Sequence, residues 1–250
     1  MQITNEWKLR LENEAAMHER NCFITLTYRR EDLEPLNKRE PQLFIKRLRE
    51  RLKPTVIRYY LVGDYGSDNE RPHYHALIFG WEPEEKDLYV ASRKRGKSYM
   101  ASKLLQTIWT KGFNTVGTVT PDSCGYVAGY VRRAVLSDRD ALAQVGRLRP
   151  FALFSKGIGG AYCDENEAAI REQMAIVEGK TNRGLPRYYA KRLGISGSEY
   201  VARRIKREGF RVDDAVSHGA DLGNINEFLH GVDEAIEFSL VVKEKLKRSR

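Results

Sequence analysis

A chain of 250 residues with 43 lysines and arginines against 34 aspartates and glutamates carries a formal charge of +9, a balance that favours a polyanionic partner such as nucleic acid. It is long enough for one large domain with an extension, and it shows neither a signal-peptide pattern nor any apolar run near the ~18 residues that cross a bilayer. Its three cysteines, Cys22, Cys124 and Cys163, form no CxxC pair and no even framework, which argues against a disulfide scaffold or a zinc knuckle and for a reduced, intracellular protein.

Residues 1–20 set Ile3, Trp7, Leu9, Leu11 and Met17 among charges, a spacing that predicts an amphipathic helix lying on a body that begins later. CFITLTY, residues 22–28, is β-branched and aromatic and predicts a central strand. PQLFIKRLRERL, residues 41–52, opens on a proline suited to a first helical position and places Leu43, Phe44, Arg47 and Leu48 at helical spacing. Its other face, with Lys46, Arg49, Arg51 and Lys53, is either solvated or set against DNA phosphates.

VIRYYLVGDYG, residues 56–66, predicts a strand that turns through SDNERP into a further strand, RPHYHALIFG, residues 71–80, so the two pair as a hairpin. Alternation along the second strand puts His73 and His75 on one face, about 7 Å apart. Histidine is the commonest metal ligand, and the Ala76 to Phe79 tail supplies a buried strand to hold the pair. Asp64, near the end of the incoming strand, falls beside His73. Three donors can then meet across one hairpin, leaving positions for water and a phosphate oxygen; alone, Asp64 reads equally well as a turn-capping carboxylate.

SRKRGKS, residues 92–98, ends like a nucleotide-binding loop. Ala91 stands where the first glycine belongs, so ATP hydrolysis is excluded there and an exposed basic loop is predicted, in which Arg93, Lys94, Arg95 and Lys97 can contact nucleic acid. A short helix over 101–110 and a strand over 113–120 follow. DSCGYVAGYVRRAV, residues 122–135, predicts a helix capped by Asp122 or Ser123, with Tyr126 and Tyr130 one turn apart on the same face and Arg132 and Arg133 beyond them, placed to meet a phosphate. Tyrosines at this spacing suit core packing as well as catalysis. From about residue 141 helices are predicted, with helical apolar spacing over 164–178 and 225–246; His218 and His230 have no evident partner, and no helicase signature is present.

In this order, CFITLTY, GDYG before RPHYHALIFG, and YVAGYVRR resemble the motifs of the HUH nucleases, and within them the rolling-circle replication initiators of the microviruses, especially the gokushovirus branch. PFALFSKGIGG at 150–160 and LPRYYAKRL at 185–193 resemble segments typical of that family beyond its nuclease core. The fold expected is α+β: an N-terminal helical segment over 1–20, a central antiparallel sheet of HUH/RRM-like kind with flanking helices over 21–140, and a mainly helical region over 141–250.

The resemblance implies an endonuclease that nicks single-stranded DNA at an origin. His73 and His75, with Asp64 as third ligand, would hold Mg²⁺ or Mn²⁺ on the scissile phosphate, and Tyr126 or Tyr130 would attack it. A 5′-phosphotyrosine and a free 3′-OH would result, the latter a primer for a host polymerase, with a host helicase unwinding DNA in the cytoplasm of a bacterial cell. Asp64 stands where relatives usually carry glutamate, and Gly129 and Arg133 stand where they often carry lysine. Arginine can clamp a phosphate but does not transfer protons near neutral pH. Two other readings remain open: a plasmid initiator or single-strand transposase with the same chemistry, and a non-catalytic domain that stacks bases on aromatics such as Phe23 or Tyr28.

Overall fold

The computed structural model describes residues 2–30, 35–65, 71–94, 96–136, 147–178, 181–197 and 199–200, with the backbone alone at 131–136. The chain divides into two compact units, Met1–Tyr162 and a second that starts at Cys163. The predicted helix over 225–246, His218 and His230 lie outside the described residues.

The first unit is built on seven strands: β1 (Asn21–Tyr28), β2 (Arg58–Asp64), β3 (His73–Phe79), β4 (Leu88–Lys94), β5 (Lys97–Ser102), β6 (Gly112–Thr118) and β7 (Phe151–Phe154). They form one antiparallel sheet in the order β4-β5-β6-β1-β3-β2-β7. Four helices accompany it: α1 (Gln2–Ala16), α2 (Arg39–Leu52), α3 (Lys103–Ile108) and α4 (Pro121–Leu136). The fold is α+β, as expected.

Period-two alternation decides which residues meet which helix. Cys22, Ile24, Leu26 and Tyr28 of β1, with Tyr74, Ala76 and Ile78 of β3, pack against Phe44, Ile45 and Leu48 of α2 and Leu105 and Ile108 of α3. The opposite face, carrying Tyr60, Val62, Leu77 and Phe79, is covered by Leu11 of α1 and by Cys124, Val127, Ala128 and Tyr130 of α4. A sheet buried on both faces needs apolar residues at successive positions of its central strands, and HYHALIF supplies them. Since His73 and His75 alternate with Tyr74 and Ala76, both histidines stand on the α4 side.

Several elements differ from the sequence expectation. SRKRGKS is no loop: Arg93, Lys94, Lys97 and Ser98 pair in the β4–β5 hairpin, turned at Gly96, whose φ of +75° suits glycine. The helix expected over 101–110 covers Lys103–Ile108, because β5 runs on to Ser102, whose hydroxyl then caps it by accepting from the Leu105 amide. The α4 cap is neither Asp122 nor Ser123 but Thr120. Its hydroxyl accepts from the Ser123 amide at 3.1 Å, and the Ser123 hydroxyl accepts from the Thr120 amide at 2.8 Å, a reciprocal capping box with Pro121 at the first helical position.

The segment 164–178 is not one helix. Helix Glu167–Gln173 ends at Met174, which adopts a left-handed conformation (φ 47°), and β-branched Ile176 and Val177 then continue as strand Ala175–Glu178, paired with Thr181–Gly184. LPRYYAKRL supplies helix Arg187–Leu193 of the second unit, where Arg192 grips Asp164 through two hydrogen bonds.

PFALFSKGIGG forms β7 and a loop that α1 holds down. Arg10 donates twice to the Ile158 carbonyl, at 3.1 and 3.0 Å. Glu14, 1 % exposed, accepts from the Gly159 amide at 2.6 Å and from the Arg58 guanidinium on β2. Glu14→Ala is therefore expected to cost about 2–3 kcal/mol, read as a lower denaturant midpoint. The Arg58 side chain is one-third exposed and partly rehydrates, which keeps the loss below that of a fully buried pair.

Candidate active site

β3 lies between β1 and β2, so each histidine has a fixed neighbour on both sides. Asp64 stands directly opposite His73 across the β2–β3 hairpin, with Thr27 opposite it on β1. His75 is flanked in the same way by Val62 and Thr25. Directly opposed residues share a face of an antiparallel sheet, so Asp64, both histidines, Thr25 and Thr27 all look toward the α4 side. The two imidazole centroids are 4.7 Å apart with planes at 78°.

Hydrogen bonding fixes the tautomer of His73. Its Nδ1 lies 2.9 Å from the Arg71 carbonyl oxygen, which can only accept, so Nδ1 carries the proton and the neutral ring keeps its lone pair on Nε2. His75 is held from three directions: Nδ1 is 3.0 Å from the Thr25 hydroxyl, Nε2 is 3.1 Å from the Tyr126 hydroxyl, and the ring stacks on Phe23 with centroids 5.6 Å apart.

α4 brings both phenols to this point, as the four-residue spacing predicts. Tyr130, 4 % exposed, donates its hydroxyl to that of Tyr126 at 2.6 Å. Having accepted there, the Tyr126 hydroxyl turns its own proton toward His75 Nε2, and Nδ1 of the neutral ring then donates to Thr25. The result is a directed chain: Tyr130 to Tyr126 to His75 to Thr25. Tyr126 is 47 % exposed, so its oxygen is open to an incoming group while Tyr130 lies behind it in the apolar layer.

The donor set fits a divalent ion as a two-nitrogen clamp, since both rings are held through Nδ1 and direct their Nε2 lone pairs outward. Among the described residues no group of three or more His, Cys, Asp or Glu side chains gathers at metal-binding spacing. Asp64 shares the face and the row of His73 and is buried.

Of the cations expected to meet DNA, Arg93, Lys94 and Lys97 are exposed on the β4–β5 hairpin. Lys94 and Lys97 stand directly opposite each other, an arrangement that like-charge repulsion disfavours unless an anion lies between them. Arg95 is outside the described residues, and Arg132 and Arg133 lie on α4 with their side chains outside them. The basic face of α2 belongs to the other side of the sheet. There Arg49 lies over the Tyr59 ring and Lys53 pairs with Glu50, so this group does not join the histidines.

Neither aromatic suggested for base stacking is free for it: Tyr28 is buried on the α2 side, hydrogen-bonded to Tyr74, and Phe23 is committed to His75. Thr25 and Phe23 are supporting residues that sequence reasoning missed. The signal was present in CFITLTY, whose alternate positions Phe23, Thr25 and Thr27 share one face.

Residues 21–134 match the family of the replication-associated protein ORF2. The chain is 31 % identical over 202 residues to the replication-associated protein VP4 of Bdellovibrio phage phiMH2K, covering 76 % of this chain and 62 % of that protein. It is 32 % identical over 216 residues to the replication-associated protein ORF2 of Spiroplasma virus 4, covering 81 % and 63 %. Similarity to the replication-associated protein ORF4 of Chlamydia phage 1 is 30 % over 186 residues, covering 70 % and 46 %. The chain thus spans less than two thirds of the length of each of these curated relatives. No solved structure matches it.

Proposed function

Through residues 21–134 this chain belongs to the replication-associated protein ORF2 family, and on that premise we propose that it starts rolling-circle replication of a phage genome by nicking one DNA strand. The observation that carries the proposal is the Tyr126 hydroxyl, exposed on the sheet face and hydrogen-bonded to Tyr130 and His75. Such a phenol is positioned as a nucleophile rather than as packing.

In the proposed reaction the Tyr126 oxygen attacks the scissile phosphorus and its proton passes to water. The bond from phosphorus to the 3′ oxygen breaks, and that oxygen leaves as a 3′-OH after taking a proton from water. A 5′-phosphotyrosine remains. Since the phosphodiester is exchanged for a phosphotyrosine ester, rejoining to a 3′-OH needs no ATP. Tyr130 orients the attacking oxygen by donating to it, and Thr25 and Phe23 hold the His75 ring. His73 and His75 would bind Mg²⁺ or Mn²⁺ through Nε2, Asp64 completing the site directly or through water, and the ion would neutralise charge developing on the phosphate. For His75 this means giving up its hydrogen bond to Tyr126, which leaves that hydroxyl facing the DNA.

Arg93, Lys94 and Lys97, with Arg95, Arg132 and Arg133, are proposed to neutralise DNA phosphates. Synthesis from the 3′-OH and strand separation are assigned to a host polymerase and helicase in the cytoplasm of the infected bacterium. Among the described residues no helix is long and apolar enough to cross a membrane.

The test is incubation of the full chain and Mn²⁺ with a randomised single-stranded DNA library labelled at its 3′ end. Nicking transfers the label to the protein in an SDS-resistant adduct that a chelator abolishes. A complex that salt dissolves, with no label surviving SDS, would instead identify a binding module.

A further inference from the structure

We propose that Phe113, with Arg29 beside it, is a stacking platform for a nucleobase of the DNA strand that passes His73. Phe113 is 58 % exposed, the most exposed aromatic side chain among the described residues, and it stands on β6 outside the area that α1 and α4 cover. Register places it with the site: Phe113 is opposite Thr27, Thr27 is opposite His73, and His73 is opposite Asp64, one row across four strands on one face. Two strand spacings separate Phe113 from His73, about 10 Å, a span that one or two nucleotides bridge.

The ring is held where it is. A Cβ on the preceding residue, Gly112, would lie 1.8 Å from the Thr27 carbonyl oxygen, so β6 approaches β1 too closely to slip. The Arg29 amide donates to the Lys111 carbonyl at 3.0 Å, and the Arg29 guanidinium carbon lies 5.9 Å from the Phe113 ring centroid. A base on the ring and a phosphate on the guanidinium fit one nucleotide, because stacking accepts any base while the cation meets the backbone. The strand as ligand rests on the nicking proposal; the platform itself rests on exposure and register.

The test measures binding of the full chain to a labelled oligo(dT) and to an abasic strand of equal length, by fluorescence anisotropy in a chelator. The wild-type protein is expected to prefer oligo(dT). Phe113→Leu should lose roughly 5- to 100-fold on oligo(dT) with little change on the abasic strand, and Phe113→Trp should restore the preference. A Phe113→Leu protein that keeps the wild-type preference overturns the platform. A protein that shows the Phe113-dependent preference yet forms no adduct with Mn²⁺ overturns the nicking and leaves the platform standing; one that forms the adduct but binds both strands equally does the reverse.

Discussion

Tyr126→Phe is expected to lower single-turnover cleavage of single-stranded DNA by on the order of 10⁴-fold or more, because it deletes the attacking oxygen and leaves only binding and electrostatic stabilisation. Tyr130→Phe is expected to leave the first cut within about tenfold of wild type, the loss being one neutral hydrogen bond that orients the nucleophile. The asymmetry follows from position, since one phenol is nearly half exposed and the other is sealed against Val62 and Leu77. Joining a circle, which takes a second cut while the first 5′ end is still held, should fall in both variants. Rapid-quench measurement of the first adduct and of circular product separates the two steps. Equal loss of the first cut in both variants would mean that the two hydroxyls exchange roles freely and that burial does not choose between them.

The largest stability effect is expected at a residue with no chemistry of its own. Gly112→Ala would place a methyl group 1.8 Å from the Thr27 carbonyl oxygen and 2.7 Å from the Thr27 carbonyl carbon and Tyr28 Cα, all of them backbone. No side-chain rotation relieves that contact, so β6 must shift away from β1, and a destabilisation of about 4 kcal/mol is expected. The same Thr27 carbonyl accepts from the Trp109 indole at 3.0 Å, which ties the packing of Tyr28, Tyr74 and Phe44 around that indole to the position of β1. Thermal unfolding of the purified variant checks the stability. Metal-independent affinity for oligo(dT) should fall with it, because Phe113 moves with β6. A melting temperature within a few degrees of wild type would show that the two strands separate cheaply.

What the sequence made legible was whatever alternation or helical spacing encodes. HYHALIF announces which of its residues share a face, and GYVAGY announces that two phenols do. Neither pattern names neighbours across the sheet. That Thr25 props His75, that Asp64 faces His73 rather than merely lying near it, and that Phe113 joins their row all depend on pairings between segments distant in sequence.

Local chemistry misled in three places. A run of arginine and lysine is depleted in strands, yet LYVASRK and KSYMAS pair as a hairpin because each satisfies the backbone of the other. Asp122 and Ser123 resemble caps, but Pro121 marks the first helical position and moves the cap back to Thr120. EAAIREQMAIVE has helical spacing throughout, and only the left-handed turn at Met174 breaks it into helix and strand.

The segment shared with the family begins at Asn21 and ends at residue 134, whereas the folded unit does not stop there. A piece cut to those limits would lose Leu11 and Glu14, baring the apolar surface of Tyr60, Val62 and Val127. It would also lose the β7 partner that satisfies the outer edge of β2, and a raw edge of that kind invites other chains to pair with it. Kinship and self-sufficiency therefore have different boundaries here, and anyone trimming the gene to its recognisable portion would be removing the splint along with the packaging.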